Sequence, residues 1–232
     1  MTDTKPSIST IMTVYNGEKY IKEAIRSILD QNYPNLDVWV IDDGSTDHTK
    51  ELVTNFGEAV NYIFQKNSGI AAGWNNGITS SGGDYLAFLD SDDIWTGGKL
   101  QRQMEFLQSH PQIKASFGYV EEFYSPELPG ETKQTYKCNE QAVPGYHAGT
   151  ILISRKNFME VGIFNQQWEK GIFSDWFLRA MEMNTPMHMD EKVMLKRRIH
   201  ENNHGIQKRD KYVDYVRMLK ASLDRRRSNP SN

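Results

Sequence analysis

Short apolar runs alternate with stretches of helical periodicity along the first half of the chain. β-prone runs lie at 8–14, 38–41, 60–64 and 85–89, and apolar residues at helical spacing separate each run from the next. Strand, helix, strand, helix is the order that builds a parallel sheet with crossover helices. The pattern therefore predicts an α/β fold with a Rossmann-like, mostly parallel central sheet flanked by helices.

The pattern is less even in the second half of the chain. Strands are predicted at 113–120, 150–153 and 193–200, and a helix is predicted to begin near residue 175. The segment 121–143 contains prolines, a glycine and many polar residues, so we expect a surface loop or an insertion there.

The last part of the chain is predicted to be a basic amphipathic helix. Between 208 and 227, apolar residues fall on one face and Lys and Arg lie elsewhere. Such a helix can dock on the domain, pair with a second copy or lie on an anionic membrane surface. We therefore divide the chain into a main domain at 1–205 and a helix with a frayed tail at 206–232.

Composition narrows the range of functions. Of the 232 residues, 38% are hydrophobic and 25% are charged, as in soluble globular proteins, and the net charge of -3 gives no nucleic-acid footprint. Cys138 is the single cysteine, which fits a reducing compartment. No apolar run is long enough to span a bilayer, and the polar start is unlike a signal peptide. We expect a cytoplasmic protein, peripheral to the inner face of the membrane if the last helix binds there.

Acidic residues follow two of the predicted strands. Asp42 ends the second strand, and Asp90, Asp92 and Asp93 follow the fourth. Ligands of parallel sheets bind outside the carboxyl ends of the strands, so we expect these residues to share one crevice. Clustered carboxylates repel one another unless a cation or hydrogen-bond donors compensate them, and their oxygens suit Mg²⁺ or Mn²⁺. The alternative is a helix cap, which Asp also favours.

Four segments in this order resemble the family-2 glycosyltransferases, which have the GT-A nucleotide-diphospho-sugar transferase fold. They are Thr13 to Asn16, Val40 to Asp47, Gln65 to Ile78 and Leu89 to Trp95. The resemblance implies an enzyme of the hexosyltransferase type, with a DXD motif at the acidic strand end. It would move a sugar from a UDP- or GDP-sugar to an acceptor hydroxyl with inversion, assisted by Mn²⁺ or Mg²⁺.

The resemblance also implies roles on the nucleotide side of the crevice. The backbone of Thr13, Val14 and Tyr15, together with Asp42, would hold the base. Lys66 is a candidate for the charge contact near the nucleotide that the family's Arg would make and Trp74 cannot; its alternative is an exposed loop lysine.

Further roles follow for the metal side. Asp90, with Ser91, would face the ribose and reach the metal through water, while Asp92 would bind the metal directly. His200 is the candidate second ligand. Asp93 is expected to cap the next helix instead.

Three more positions complete the implied site. His147 lies in a glycine-containing loop that resembles the family's loop beside the donor sugar, although a structural histidine is equally compatible. Arg198 or Arg197 would neutralise the leaving diphosphate, unless this is a solvated basic strand end. Asp175 is the candidate general base, at a helix start where an Asp also serves as a cap.

Two departures from the family pattern bear on activity. Trp74 stands where the family often has Arg, and Ser174 stands where it has Glu. These departures lend weight to a non-catalytic nucleotide-sugar or glycan-binding protein as the alternative function. A nucleotidyltransferase is disfavoured, because the loop after the first strand lacks a glycine- and basic-rich phosphate motif.

Overall fold

The computed structural model describes residues 5–133, 136–201, 203 and 212–228. Within these residues the chain forms one mixed sheet with helices on both faces. The strands are β1 (Ile8–Val14), β2 (Leu36–Asp42), β3 (Asn61–Phe64), β4 (Tyr85–Phe88), β5 (Ile94–Trp95), β6 (Ala115–Tyr124), β7 (Val143–Gly145), β8 (Leu152–Ser154) and β9 (Met187–Ile199). The helices are α1 (Ile21–Leu29), α2 (Thr49–Thr54), α3 (Ile70–Ser80), α4 (Lys99–Ser109), α5 (Gly130–Lys133), α6 (Arg155–Val161), α7 (Ile172–Glu182) and α8 (Tyr212–Ser228).

The sheet is mostly parallel, which confirms the predicted class. Its strand order is β3-β2-β1-β4-β8-β6-β9-β5, and β7 also pairs with β6. The neighbours among β1 to β4 are parallel, as are β6 and β9, whereas β5, β7 and β8 run antiparallel to their neighbours. The carboxyl ends of β1, β2 and β4 therefore meet at one edge of the sheet.

Strand alternation produces two apolar cores, one on each face of the sheet. On β1, Ile8 and Met12 contribute to the core that includes α1 and α4, while Ile11 contributes to the core that includes α3, α6 and α7. The second core is rich in aromatic rings. Phe158 stacks on Trp176 with ring centroids 5.0 Å apart, so α6 and α7 are packed together on that face.

The pairing of β6 with β9 is longer than the sequence pattern predicts. The two strands pair in parallel from Ala115 opposite Met187 to Tyr124 opposite Ile199, so each extends beyond its apolar run. Charged residues interrupt those runs, but Arg197 donates to Glu122 across the pair at 2.7 Å. A cross-strand ion pair thus supports strand structure that local hydrophobicity does not indicate.

Two other predicted elements differ from the structure in their bounds. The expected loop at 121–143 contains the end of β6 and the short helix α5, and β7 starts at its last residue. The C-terminal helix is described from Tyr212, and residues 208–211 of the predicted helix lie outside the described residues. No described helix is both long and apolar enough to cross a membrane.

A buried asparagine holds α3 to the chain before α7. Asn75 donates to the carbonyl oxygen of Phe164 at 2.8 Å and accepts from its backbone N–H at 3.0 Å. Phe164 packs against Trp74, with ring centroids 4.9 Å apart, so this pair of hydrogen bonds holds the aromatic core in place.

We predict that Asn75→Ala lowers the free energy of unfolding by about 2–3 kcal/mol, since it leaves two buried backbone groups without their partner. The neighbouring Asn76 is only partly buried and bonds Gln65, so Asn76→Ala is the matched control and should cost less than about 1 kcal/mol. Urea titration of both variants measures the difference. Equal losses would contradict the role of the Asn75 amide.

Candidate active site

A cavity of about 850 Å³ lies at the carboxyl ends of β1, β2 and β4. Polar residues line it beside the strand ends, and residues near the start of α7 line it on another side. Its lining is Thr13, Tyr15, Asn16, Asp43, Ile70, Trp74, Asp90, Ser91, Asp92, Asp93, His147, Glu169, Lys170, Gly171, Ile172, Phe173, Ser174, Arg197, Asn203 and Tyr215. The predicted crevice at the strand ends is therefore present, although not every expected side chain reaches it.

The loop after β1 is held by the loop after β2. Asn16 accepts from Thr46 N at 2.8 Å, and its own N–H donates to Ser45 Oγ at 2.8 Å. Thr13 and Tyr15 line the cavity on either side of Val14, whose side chain is in the core and whose carbonyl accepts from Asp43 N. Thr13 and Tyr15 thus line the cavity, while Val14 is not part of the lining; the expected role of their backbone in holding the base stays a prediction.

Asp42 does not line the cavity, whereas Asp43 does. The Asp42 carboxylate is fully buried and accepts from Ser45 N and from the hydroxyl of Tyr62, both at 2.7 Å. Burial, and next the hydrogen bond to Asp42, raise the pKa of Tyr62 above its usual range. The acidic side chain that lines the cavity is Asp43, the first residue after β2 and one residue later than expected.

Asp43 has its own set of donors. Its carboxylate accepts from Ser68 N and Gly69 N, both at 2.8 Å, and from the side chain of Gln65 at 2.7 Å. These bonds fix the segment before α3. Lys66, in the same segment, is exposed and lies outside the lining, so the structure does not bring it to the site.

Asp93 is a structural residue, but it does not cap a helix as expected. Its buried carboxylate accepts from Arg198 N at 2.9 Å, and α4 begins only at Lys99, after Gly98. Burial and the nearby carboxylates of Asp92 and Asp90 raise the pKa of Asp93 well above its usual value.

Asp92 meets the C-terminal end of β9. Its Oδ2 lies 2.9 Å from His200 Nε2 and 3.2 Å from the side-chain amide of Asn203. The His200 ring also packs against the Tyr20 ring, with centroids 4.7 Å apart. The backbone N–H of His200 donates to Asn203 Oδ1 at 2.6 Å. The two expected metal ligands, Asp92 and His200, are thus brought together, and Asn203 is an addition that sequence reasoning did not assign.

Asp90 and His147 face each other across the cavity. His147 Nε2 is 3.9 Å from Asp90 Oδ2, and His147 Nδ1 accepts from Gly149 N at 3.0 Å, which places the ring proton on Nε2. Burial, and next Asp92, raise the pKa of Asp90 to about 7. Burial, and next Arg197, lower the pKa of His147 to about 4, so this imidazole is neutral at pH 7.

The two adjacent arginines have different surroundings. Arg198 is buried between the rings of Tyr20 and Phe123, its guanidinium carbon 4.7 Å from each centroid, and it pairs with Glu23. It does not line the cavity. Arg197 does, and it also bonds Glu122. Of the two candidates for the diphosphate, Arg197 is therefore the one at the site.

Asp175 is buried beneath the cavity wall. It is 1% exposed, and Arg179 donates to it at 3.0 Å while also donating to the carbonyls of Val161 and Ile163. The residue before it, Ser174, lines the cavity. The carboxylate that lines the cavity near α7 is Glu169, which sequence reasoning missed because no motif surrounds it.

The carboxylates and His200 suit a hard divalent cation. Two ligands of one octahedral Mg²⁺ or Mn²⁺ ion lie about 3 Å apart, which agrees with the 2.9 Å between Asp92 Oδ2 and His200 Nε2. Among the residues that the structure describes, no three His, Cys, Asp or Glu side chains form a closed metal site. An ion with few protein ligands is what nucleotide sites use, since phosphate and water complete its shell.

The comparisons with known proteins agree with this geometry. The model of glycosyl transferase family 2 matches residues 9–162. An uncharacterized glycosyltransferase of Rickettsia felis is 30% identical over 208 residues, which are 84% of this chain and 34% of the relative. The chain thus spans about a third of that relative's length.

Two solved structures share the fold. S. aureus TarS 1–349 in complex with UDP-GlcNAc has a TM-score of 0.73 at 19% identity, over 93% of this chain and 65% of that one. The mannosyltransferase PcManGT from Pyrobaculum calidifontis, in complex with GDP-Man and Mn²⁺, has a TM-score of 0.73 at 19% identity, over 96% and 65%. These likenesses confirm the GT-A fold. The match of the family model over residues 9–162 shows that this chain belongs to glycosyl transferase family 2.

Proposed function

We propose that the protein transfers a sugar from a nucleoside-diphosphate sugar to an acceptor hydroxyl with inversion at the anomeric carbon, assisted by a divalent metal. The observation that carries the proposal is the 2.9 Å distance between His200 Nε2 and Asp92 Oδ2. Asp92 lines the cavity together with Asp90, while His200 lies behind Asp92 and is not part of the lining. The nucleotide sugars bound in the TarS and PcManGT complexes, UDP-GlcNAc and GDP-Man, support a UDP- or GDP-sugar as the donor.

The nucleoside is assigned to the side of the cavity formed by the ends of β1 and β2. Tyr15 is more than half exposed and offers its ring, while Thr13 and Asp43 flank it. Asp42, the residue expected to bind the base, acts there by holding Ser45 and Tyr62. Ser91 and Asp90 then face the ribose.

The diphosphate is assigned to the metal side. Asp92 and His200 would hold the ion, with Asp90 reaching it through water, and the ion would supply positive charge to the leaving diphosphate. Arg197 lines the same cavity and adds a fixed cation that stabilises the departing phosphates. His147, neutral and carrying a proton on Nε2, can donate a hydrogen bond to the donor sugar.

Transfer also needs a catalytic general base. This group takes the proton of the acceptor hydroxyl as the acceptor oxygen bonds to the anomeric carbon and the bond from that carbon to the diphosphate breaks. Asp175 is our candidate from the family resemblance, and its carboxylate accepts a hydrogen bond from Arg179 at 3.0 Å. Because Asp175 is buried while Glu169 lines the cavity, Glu169 is the second candidate.

A non-catalytic nucleotide-sugar-binding protein is the alternative function. The buried position of Asp175 and the serine at 174 favour it, because together they leave the expected base away from the cavity. Release of nucleoside diphosphate from UDP-GlcNAc or GDP-Man, by transfer or by slow hydrolysis, separates an enzyme from a binding protein.

We also propose a cytoplasmic location for the protein. The C-terminal helix α8 is the element through which a second copy or the inner face of a membrane would bind.

Asp92→Ala should abolish Mn²⁺-dependent donor binding and turnover, because it removes a proposed direct ligand; we expect a loss of about a hundredfold or more. Calorimetric titration of UDP-GlcNAc and GDP-Man, with and without Mn²⁺, measures it. The control is Asp30→Ala, since Asp30 is exposed at the end of α1. Turnover like that of the wild type in Asp92→Ala without metal would refute the assignment.

A second prediction separates the adjacent arginines. Arg197→Gln should weaken donor binding by about 10- to 100-fold, because a charge-assisted contact to phosphate is worth about 1.5–3 kcal/mol. Its loss of stability should be below about 1 kcal/mol, since the pair with Glu122 is partly exposed. Arg198→Gln should instead lower the free energy of unfolding by about 1–3 kcal/mol, since its buried cation packs between two rings. Donor titration and urea unfolding test both, and exchanged outcomes would show that Arg198 is the phosphate residue.

A third prediction identifies the base. Asp175→Asn should retain donor affinity and lose turnover by about 10²–10⁴-fold if Asp175 takes the proton. Glu169→Gln provides the matched comparison, because it also replaces a carboxylate by an isosteric amide. If only Glu169→Gln loses turnover, the base is Glu169; if Asp175→Asn instead loses donor affinity and stability, Asp175 serves the structure alone.

A further inference from the structure

The C-terminal helix α8 has an inner face that docks on the domain. Asp214, Met218, Ser222 and Arg225 are four, four and three residues apart, which puts them on one side of the helix. Met218 is buried in the aromatic core. Ser222 and Arg225 bond Glu182 at the end of α7, at 2.5 and 2.7 Å. Docking, the first outcome expected for this helix, is therefore achieved by its more polar side.

The outer face of α8 is apolar. We define it by Val213, Val216, Leu219 and Leu223, which are three, three and four residues apart and so share a side. Each of the four is more than half exposed. Four large aliphatic side chains on one exposed helix face are unusual for a soluble domain and indicate a surface that another body covers.

Positively charged side chains lie on the exposed surface of the same helix. Arg217, Lys220, Arg226 and Arg227 are all exposed on α8, against one exposed acid, Asp224. Arg225 is excluded from this count because it pairs with Glu182. Since the whole chain has a net charge of -3, the positive charge is a local property of this helix.

The charge determines what covers the outer face. A two-fold pairing of copies brings the same patch against itself, so four cations would meet four cations with few acids between them. Nucleic acid would compensate the cations but would leave the leucines and valines without apolar partners. An anionic bilayer surface satisfies both, because its headgroups attract Lys and Arg while its acyl boundary accepts the aliphatic side chains.

We infer that the outer face of α8 binds the surface of an anionic lipid membrane. The helix lies in the plane of the interface with Val216, Leu219 and Leu223 inserted and the arginines at the headgroups. This binding requires no donor, metal or acceptor, so it stands or falls independently of the proposed transfer reaction.

The inner face of α8 connects this surface to the cavity. Tyr215 lines the cavity, and Asp214 accepts from the backbone N–H of Glu169 at 3.3 Å. Gly171, at a φ of 70°, leaves room for the helix, since a Cβ there would lie 2.4 Å from Met218 Cε. The cavity is thus about one helix diameter, roughly 10 Å, from the proposed membrane surface. If the proposed function holds, an acceptor hydroxyl at the bilayer surface is within reach of the site.

Co-sedimentation of the 232-residue protein with lipid vesicles tests the inference. We expect binding to vesicles that contain phosphatidylglycerol, little binding to phosphatidylcholine alone, and weaker binding as the salt concentration rises from about 0.1 to about 0.5 M. The double variant Leu219→Glu/Leu223→Glu should weaken binding about tenfold or more, and Arg226→Glu/Arg227→Glu should do the same.

The control is Phe64→Glu, which places one glutamate on a similarly exposed apolar residue of the edge strand β3 and should leave binding unchanged. Thermal melting of the α8 variants should match the wild type, because the substituted side chains are exposed. Absence of binding to anionic vesicles, or equal binding by Leu219→Glu/Leu223→Glu, would overturn the inference. So would a dimer, seen by light scattering, that the same variant dissociates.

Discussion

Two hydrogen bonds beneath the cavity determine where the acidic loop lies. Asp93 accepts from Arg198 N at 2.9 Å, and Arg198 Nε donates to the carbonyl of Asp92 at 3.0 Å. They attach the loop after β4 to the end of β9, so that Asp92 and His200, 108 residues apart in sequence, come within 2.9 Å. A carboxylate buried as deeply as Asp93 is tolerated because it is hydrogen-bonded. The candidate metal ligands therefore depend on a residue that holds the backbone in place.

The sequence predicts the elements of the fold well, but it does not predict which of two adjacent like residues faces the cavity. Asp42 and Asp43 carry the same charge, and so do Arg197 and Arg198. The motif points to Asp42, whereas Asp43 lines the cavity; for the arginines it leaves both open, and Arg197 lines the cavity. Side chains alternate along β9, so a difference of one residue exchanges the buried Arg198 for the partly exposed Arg197, whereas Asp42 and Asp43 are both buried and differ in their partners. The partners that resolve each pair, Tyr62 for Asp42 and Glu23 for Arg198, lie on other elements.

Prediction fails for a different reason on the other side of the cavity. The donor side is formed by the ends of β1, β2 and β4. The alternation of strands and helices along the sequence predicts that these strands are parallel and end at the same edge of the sheet. The opposite wall is built by Glu169 to Ser174 together with Tyr215, and contacts between the start of α7 and the C-terminal helix set their positions. No short motif records such long-range packing, so the sequence indicates a donor class and is silent on the acceptor.

Asp175 is buried, although its position in the first turn of a helix predicts an exposed side chain. An Asp in the first turn of a helix is expected at the surface, where it compensates the helix dipole. Here the same turn passes beneath the cavity, and Asp175 pairs with Arg179, which in turn holds the carbonyls of Val161 and Ile163. A buried ion pair that also satisfies backbone acceptors fixes the loop between α6 and α7, so removing one partner would leave the other charge buried and unpaired. This ion pair thus attaches the chain after α6 to α7, whichever carboxylate takes the proton, while the contact of Glu169 with Asp214 on α8 positions the wall itself.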